Sequence, residues 1–377
     1  MAMTYKKIAV LVAGLYAVCG PTLAQSGVTV YGIADLGVSI DKNGAKGDQT
    51  TRIGSGYVYG SRLGFSGTED LGGNLKALFV LEMGLDLDVG AMKFYPDPSS
   101  ANVAAPGGSA SSGFNRRAHI GLSGDFGTVL LGRDYTPLFW TAATLDPMDM
   151  GMYGNLQAAG VLSGTGIERF GRASNSVFYT TPTFSGFKGR FMYSTGSESN
   201  GAPGQAPKDA NDMVAIGGEY RAGPILVSAA HQQLKLPMVA NGAFTGNGTR
   251  KDTIVGSRYT TNEFSLSMGY LKIAQPVPNS DGRDIWLGAS YTLGASKFYA
   301  MVQKLRQGSA KADRNGTSYG LGYKYTMSKR TSLYTTIGYV KNKSNAAFAL
   351  LASDPIVAPG ALGASPRGLA LGIVHFF

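Results

Sequence analysis

The sequence predicts an all-β chain closed into a 16-stranded antiparallel transmembrane β-barrel, on three observations. Hydrophobicity alternates with period two in segments of about ten residues, the length that crosses a bilayer at a tilt. Tight turns and long polar loops join these segments in strict alternation, which gives a barrel one short rim and one long one. Charge is only 15% of the chain, 54 of 377 residues are glycine, and Tyr and Phe number 20 and 17. Yet no apolar run after residue 24 is long enough for a transmembrane helix, so a lipid-facing surface must be carried by alternate residues of strands.

Residues 1–24 read as a cleaved signal peptide: Lys6 and Lys7, a short apolar core from Ile8 to Val18, then the small-residue ending Thr22-Leu23-Ala24. Cleavage is expected before Gln25, leaving residues 25–377 as one barrel domain. Cys19 is the only cysteine and would leave with the leader, so no disulfide, thiolate metal site or cysteine nucleophile is expected. The net charge is +10, or +8 without Lys6 and Lys7, and its basic residues are scattered. No basic helix or zinc-finger spacing points to nucleic acid.

From Gln25 the alternation begins. Val28, Val30, Gly32, Ala34, Leu36 and Val38 share one face, and Thr29, Tyr31, Ile33, Asp35 and Ser39 the other. A polar loop runs to about Tyr57. In GSRLGFSGT, residues 60–68, Leu63 and Phe65 oppose Arg62, Gly64 and Ser66. After the turn at 69–74, residues 75–86 turn Ala77, Phe79, Leu81 and Met83 outward and Lys76 and Glu82 the other way. Past a long loop, 87–113, come strands 114–124 and 128–135. The next stretch, 136–168, has neither sustained alternation nor a capped helical stripe, and a structureless connection of that length inside a compact domain points to a functional loop. Further strands are expected at 174–181, 187–196, 213–220, 224–234, 252–259 and 263–273, with 235–251 as a long loop. The last five fall at 283–292, 296–306, 316–326, 331–341 and 367–377, for a total of sixteen.

A closed barrel satisfies every backbone N–H and C=O without an edge, which lipid demands. At sixteen strands the lumen is too wide for side chains to fill, so water remains in it. A soluble propeller would show a repeated blade motif, and none is present. A soluble sandwich would need an apolar core, whereas these strands put Arg, Glu, Lys and Ser on the inner face. Tyrosines near strand ends, such as Tyr59, Tyr193, Tyr220 and Tyr259, suit membrane interfaces but are also ordinary strand formers. His119, His231 and His375 share no ligand spacing, so neither a metal site nor a cofactor is expected. The glycine-rich GTGIERFG and GSGYVYG do not lead a buried strand into a helix, which removes the phosphate-loop reading.

Six segments together resemble one family: VTVYGIADLG at 28–37, SRLGFSGTEDLGGNLKALFVLE at 61–82, NRRAHIGLSGDFGTVLLGRDYTP at 115–137, RASNSVFYTTPTFSGF at 172–187, SKRTSLYTTIGYVKNK at 328–343, and the terminal GIVHFF. They resemble the trimeric general diffusion porins of Gram-negative bacteria, in particular the β-proteobacterial branch. The resemblance implies a homotrimer in the outer membrane, surrounded by lipid and lipopolysaccharide, that passes small ions and hydrophilic solutes. It makes 136–168 the third extracellular loop, folded inward as a constriction. It also implies that Phe377 belongs to the signal read by the barrel assembly machinery. The last strand departs from related chains in carrying Val374 where they often have Arg.

By the same resemblance Arg62, Arg116 and Arg172 form a basic wall facing the acidic partners Glu82 and Asp146. Alternation separately places Arg62 away from Leu63 and Phe65. The parity of Arg116 and Arg117 is ambiguous, and the resemblance favours Arg116. Arg117, Arg133, Asp149 and Glu168 are weaker pore-lining candidates. Guanidinium stays charged and is weakly hydrated, and low-dielectric walls focus its field, so a weak anion preference is expected. Three other readings remain: a substrate-specific channel, an adhesin acting through loops 87–113 and 342–366, and a barrel enzyme. The last needs Ser-His or Asp-His pairs at a rim and is disfavoured, since no histidine falls in a long loop.

Overall fold

The computed structural model describes residues 27–45, 48–93, 95, 113–157, 171–198, 201–202, 205–240, 243–308 and 314–377. The expected signal peptide and Glu168 lie outside these residues. Sixteen antiparallel strands form the wall. The first half comprises β1 Gly27–Lys42, β2 Arg62–Gly72, β3 Leu75–Asp86, β4 Arg117–Gly124, β5 Gly127–Tyr135, β6 Arg172–Thr180, β7 Phe187–Ser194 and β8 Met213–Ala222. The second half comprises β9 Ile225–Ala240, β10 Ala243–Thr260, β11 Phe264–Ala274, β12 Gly282–Leu293, β13 Ser296–Gln307, β14 Asn315–Thr326, β15 Thr331–Asn342 and β16 Arg367–Phe376. Each pairs with its sequence neighbour, and β16 returns to β1 in the register Ile33↔Phe376 to Lys42↔Arg367. Reciprocal backbone hydrogen bonds of 2.9 and 3.1 Å between Gly32 and Phe377 complete the seam.

The alternation reads as expected. Val28, Val30, Val38 and Ile40 are exposed on the outer face, while Asp35, Ser39 and Asp41 are buried on the inner one. Four regions differ from expectation. Strand Gln49–Ser55 forms inside the first polar loop and pairs with β1, because its Thr-Thr-Arg-Ile run suits the pleat. Residues 235–251 belong mostly to a projecting β9–β10 hairpin, paired through Ala240↔Ala243, with a register shift at Met238 and Val239. Polar composition does not prevent ladder bonding where both faces meet water. The long loop before β16 carries a two-residue hairpin, Leu350–Leu351 with Ile356–Val357, and both leucines are buried.

The fourth difference is a helix, α1, at Pro137–Leu145. Its Thr136 N-cap side chain accepts from the Phe139 N–H at 3.1 Å, and Pro137 has the preset φ of a first helical turn. Such a cap is worth about 1 kcal/mol. The helix shows no stripe in the sequence because it is apolar nearly all round: Leu138, Ala142 and Leu145 lie on its buried face, and Phe139, Trp140 and Ala143 line the cavity on the other. It lies inside the barrel against β8, β9 and β10.

Packing of the loop gives the inner wall an apolar half. Leu138, Leu145, Met148, Met152, Tyr153 and Leu156 are buried with Leu226, Ile254, Leu271, Trp286, Tyr299 and Met301 in one cluster. The mixed inner face is thus divided in space: the wall that faces the loop is largely apolar, and charged residues gather elsewhere on it. Contact is closest at Gly151, where an added Cβ would fall 1.7 Å from the Val58 carbonyl oxygen. Gly151→Ala is expected to push the loop off the wall, cost about 1–3 kcal/mol, and raise single-channel conductance; unchanged conductance and melting would contradict this placement.

Candidate functional site

Arg62 opens β2, Arg116 directly precedes β4, and Arg172 opens β6. All three sit where a strand leaves the long-loop rim, so their side chains converge on one cavity of about 350 Å³. Lys93, Tyr95, Tyr135, Phe139, Asp149 and Asp354 also line it. A neighbouring cavity of about 350 Å³ shares Tyr59, Arg62, Tyr135, Phe139, Asp149 and Met150 with it and adds Trp140, Ala143, Asp146 and Arg258. The two form a continuous passage between wall and loop.

Each arginine is held differently. Arg116 is fully engaged: Nε donates to Glu82 Oε1 at 2.8 Å, and its two Nη donate to the Tyr95 and Tyr135 hydroxyls at 2.7 Å each. Arg172 lies over the same two rings, 4.7 and 4.5 Å from their centroids, and donates to Tyr135 Oη at 2.8 Å. Arg62 donates through Nε to the Gly60 carbonyl at 2.8 Å and stands 3.8 Å from Glu82. Glu82 accepts a further hydrogen bond from Tyr31 at 3.0 Å. It thus braces the arginines, and the aromatic faces keep the guanidinium planes fixed while favouring their charge.

The weaker candidates separate in the same way. Arg117 makes a bidentate pair with Asp134 at 2.9 and 3.0 Å and does not line the cavity of the three arginines. Arg133 is buried in the wall, donating to the Asn115 carbonyl and the Ser174 hydroxyl at 2.8 Å each. Asp146 lines the second cavity with Arg62 and Arg258, but its carboxylate oxygens accept from backbone N–H groups rather than from a wall arginine. It caps the end of α1 and accepts backbone N–H groups of Met148 at 2.6 Å and Leu156 at 2.8 Å, which turn it into the loop. Burial pushes its carboxyl up to about 7, although those N–H groups favour the charged form. A raised acid is favoured protonated in the fold, so stability is greatest below the ordinary value near 4 and declines as pH rises to about 7. Asp146→Asn is expected to flatten that decline in melting temperature; an unchanged slope would assign it elsewhere.

Asp149 is the loop carboxylate that meets wall cations, and these are lysines rather than the expected arginines. Its Oδ2 accepts from Lys324 at 2.9 Å, Tyr59 at 3.0 Å and Tyr299 at 2.9 Å, with Lys297 at 3.8 Å from Oδ1. Burial would raise its carboxyl, but Lys324 and Lys297 hold it below the usual range. Asp149 and Met150 both have left-handed backbones, φ 58° and 53°, a local strain kept by these anchors. Sequence reading missed Lys297, Lys324, Arg258, Lys93 and Asp354. Alternation from Tyr299 and Gly322 would have put Lys297 and Lys324 on the inner face. Asp354 carried no such signal, since only the inward hairpin brings it within 3.9 Å of Lys93.

Among the described residues, no group of His, Cys, Asp and Glu could hold a metal ion. The Gram-negative porin family model matches residues 9–345. The chain is 32% identical to outer membrane porin protein 32 of Delftia acidovorans, over 98% of this chain and 100% of that one. It is 28% identical to an outer membrane porin protein of Bordetella pertussis, over 89% of this chain and 94% of that one. The solved structure of an anion-selective porin from Comamonas acidovorans superposes with a TM-score of 0.77 at 29% identity, covering 93% of this chain and 100% of that one. A sealed sixteen-stranded wall, a loop folded into its lumen and these matches lead to one conclusion: the chain belongs to the Gram-negative porin family, and it is an outer-membrane channel for passive diffusion.

Proposed function

We propose that this channel prefers anions, selecting small hydrophilic solutes by charge at a waist built from the wall arginines and the loop carboxylate Asp149. One observation carries the reading: Arg62, Arg116, Arg172 and Lys93 line a single cavity, and Lys297, Lys324 and Arg258 lie close to it around Asp149. These seven cations thus outnumber the four carboxylates Glu82, Asp146, Asp149 and Asp354 around the passage. In a confined, low-dielectric waist such an excess raises the local concentration of anions. The similar structure's anion selectivity supports the same reading. Reversal potentials across a planar bilayer in a KCl gradient test it, and a cation-selective channel would overturn it.

The same proposal assigns the chain no catalysis. What supports this is the family, whose relatives are porins; the described Asp-His contact, His119 with Asp134 at 3.3 Å, is buried in the wall, where Asp134 is also bound by Arg117. The family supports reading the channel as a homotrimer, with Phe377 as part of its assembly signal. Its exposed ring beside β1 at the seam is compatible with recognition before closure.

A further inference from the structure

Behind the constriction loop, three neighbouring side chains of the inner wall bury oxygens that find no hydrogen-bond partner among the described residues. Asp284 on β12 is 0% exposed, and both its carboxylate oxygens are unpartnered. Gln303 on β13 and Ser318 on β14 are also buried, and Gln303 Oε1 and Ser318 Oγ are unpartnered as well. Gln303 stands directly opposite Ser318 in the β13–β14 register. Asp284 is opposite Leu305, one diagonal step from Gln303 on the same face, a separation within reach of long side chains. The loop orients Gln303: its Nε2 donates to the Asn155 carbonyl at 3.0 Å and to the Gly154 carbonyl. Carbonyls only accept, so the amide nitrogen must face the loop and Oε1 must turn away from it.

Nothing nearby balances the charge of Asp284. Among the described residues, the charged group whose field reaches it is a second carboxylate, Asp146. Its chain neighbour Arg283 is exposed on the outer face. Leu271 and Leu305, opposite it on either side, are buried and apolar. A buried carboxylate without a counter-charge is among the costliest groups a fold can carry, and a buried oxygen without a donor points to an ion or a water. Here four such oxygens belong to adjacent positions of one face, and only the Ser318 hydroxyl has a hydrogen to give. A carboxylate set among neutral amide and hydroxyl oxygens suits a hard cation. Histidine spacing, the ground for expecting no metal site, does not bear on an all-oxygen set.

We infer that Asp284, Gln303 and Ser318 form a binding site for a hard divalent cation of the calcium type. Asp284 supplies the charge as a bidentate ligand, and Gln303 Oε1 and Ser318 Oγ supply neutral oxygens. Calcium fits better than magnesium, because its coordination is flexible and it gives up water readily, whereas magnesium keeps several waters that so closed a site excludes. The Gln303 amide that would hold the ion also holds the Gly154 and Asn155 carbonyls, so the ion ties the constriction loop to the wall of β12–β14. The inference is independent of ion selectivity.

The test uses the folded channel in lipopolysaccharide-free detergent, dialysed first against a chelator. Terbium stands in for calcium and luminesces when an indole beside it is excited. The chain has two tryptophans, and Trp286 is two residues from Asp284 on the same face. Red-edge excitation, which selects tryptophan, is expected to give saturable terbium emission that calcium displaces. Calcium alone is expected to raise the melting temperature. Asp284→Asn removes the charged ligand and is expected to bind terbium at least about tenfold more weakly, with no calcium-induced rise. Ser318→Ala is expected to weaken binding several-fold and serves should Asp284→Asn fail to fold. Asp281→Asn, in the adjoining loop, is expected to bind like wild type. Trp286→Phe is expected to lose the emission and keep the calcium-induced rise. A wild-type melting temperature that ignores calcium overturns the inference, and one that responds only to pH would make the occupant a proton. Undiminished binding by Asp284→Asn or Ser318→Ala also overturns it, as does emission that survives Trp286→Phe. Reversal potentials of the same preparations keep the channel reading separate.

Discussion

Replacing Arg62 and Arg172 together by glutamine is expected to lower the anion-to-cation permeability ratio about tenfold, the lower end of what focused charge supplies in a narrow cleft. Both side chains line the cavity that also holds Arg116 and Lys93. Glutamine keeps polarity and much of the volume, so conductance should change less than selectivity. Arg116 is a poorer single target for reading selectivity. Its guanidinium satisfies Glu82, Tyr95 and Tyr135 together, and Arg116→Ala would strand a buried carboxylate whose next cation, Arg62, is 3.8 Å away. Breaking such a pair costs about 3–5 kcal/mol, so that variant should lose stability as well as selectivity. Reversal potentials for the double and single variants separate these effects. If the double variant keeps the wild-type reversal potential, the waist lies elsewhere.

Asp149→Asn is expected to act in the opposite direction, strengthening the anion preference while loosening the loop. Lys297 and Lys324 are directly opposite in the β13–β14 register, and Asp149 is the carboxylate between them. Without it the two ammonium groups add to the field of the waist. The loop would also lose the acceptor that Tyr59, Tyr299 and Lys324 share. Because the site is partly open to solvent, the loss should be modest, about 1–3 kcal/mol. The pH dependence follows from the depressed carboxyl of Asp149. Its anchoring is complete above the ordinary carboxylate value and disappears only as pH falls through the lower folded one. Wild-type channels should therefore show increased current noise only in strong acid, and Asp149→Asn channels at every pH. Quiet, unaltered currents from the variant would contradict the anchoring role.

The wall was legible in the sequence to a degree the site was not. Period-two runs such as VTVYGIADLG and the alternation of tight turns with long loops determined sixteen strands, because a strand exposed to lipid on one side and water on the other must alternate at each residue. Arg62 was placed inward by the same argument. Arg116 and Arg117 were not distinguishable, since Arg116 lies one residue outside β4, where the pleat no longer dictates direction. The nine-residue helix at Pro137–Leu145 was hidden because apolar residues occupy both its buried face and the face that lines the cavity, which removes the helical period.

What the sequence by itself determined was therefore the barrel, its strand number, its two unlike rims and the inward face of Arg62. Only the tertiary structure decided which carboxylates meet the arginines and lysines. Asp146 turns into the loop, Asp149 reaches across to Lys324, and Asp354 arrives from a hairpin more than two hundred residues from Lys93. The physical reason is that strand periodicity fixes a side chain's face at every step, whereas a loop enclosed in a lumen takes its direction from distant packing partners such as Val58, Trp286 and Tyr299.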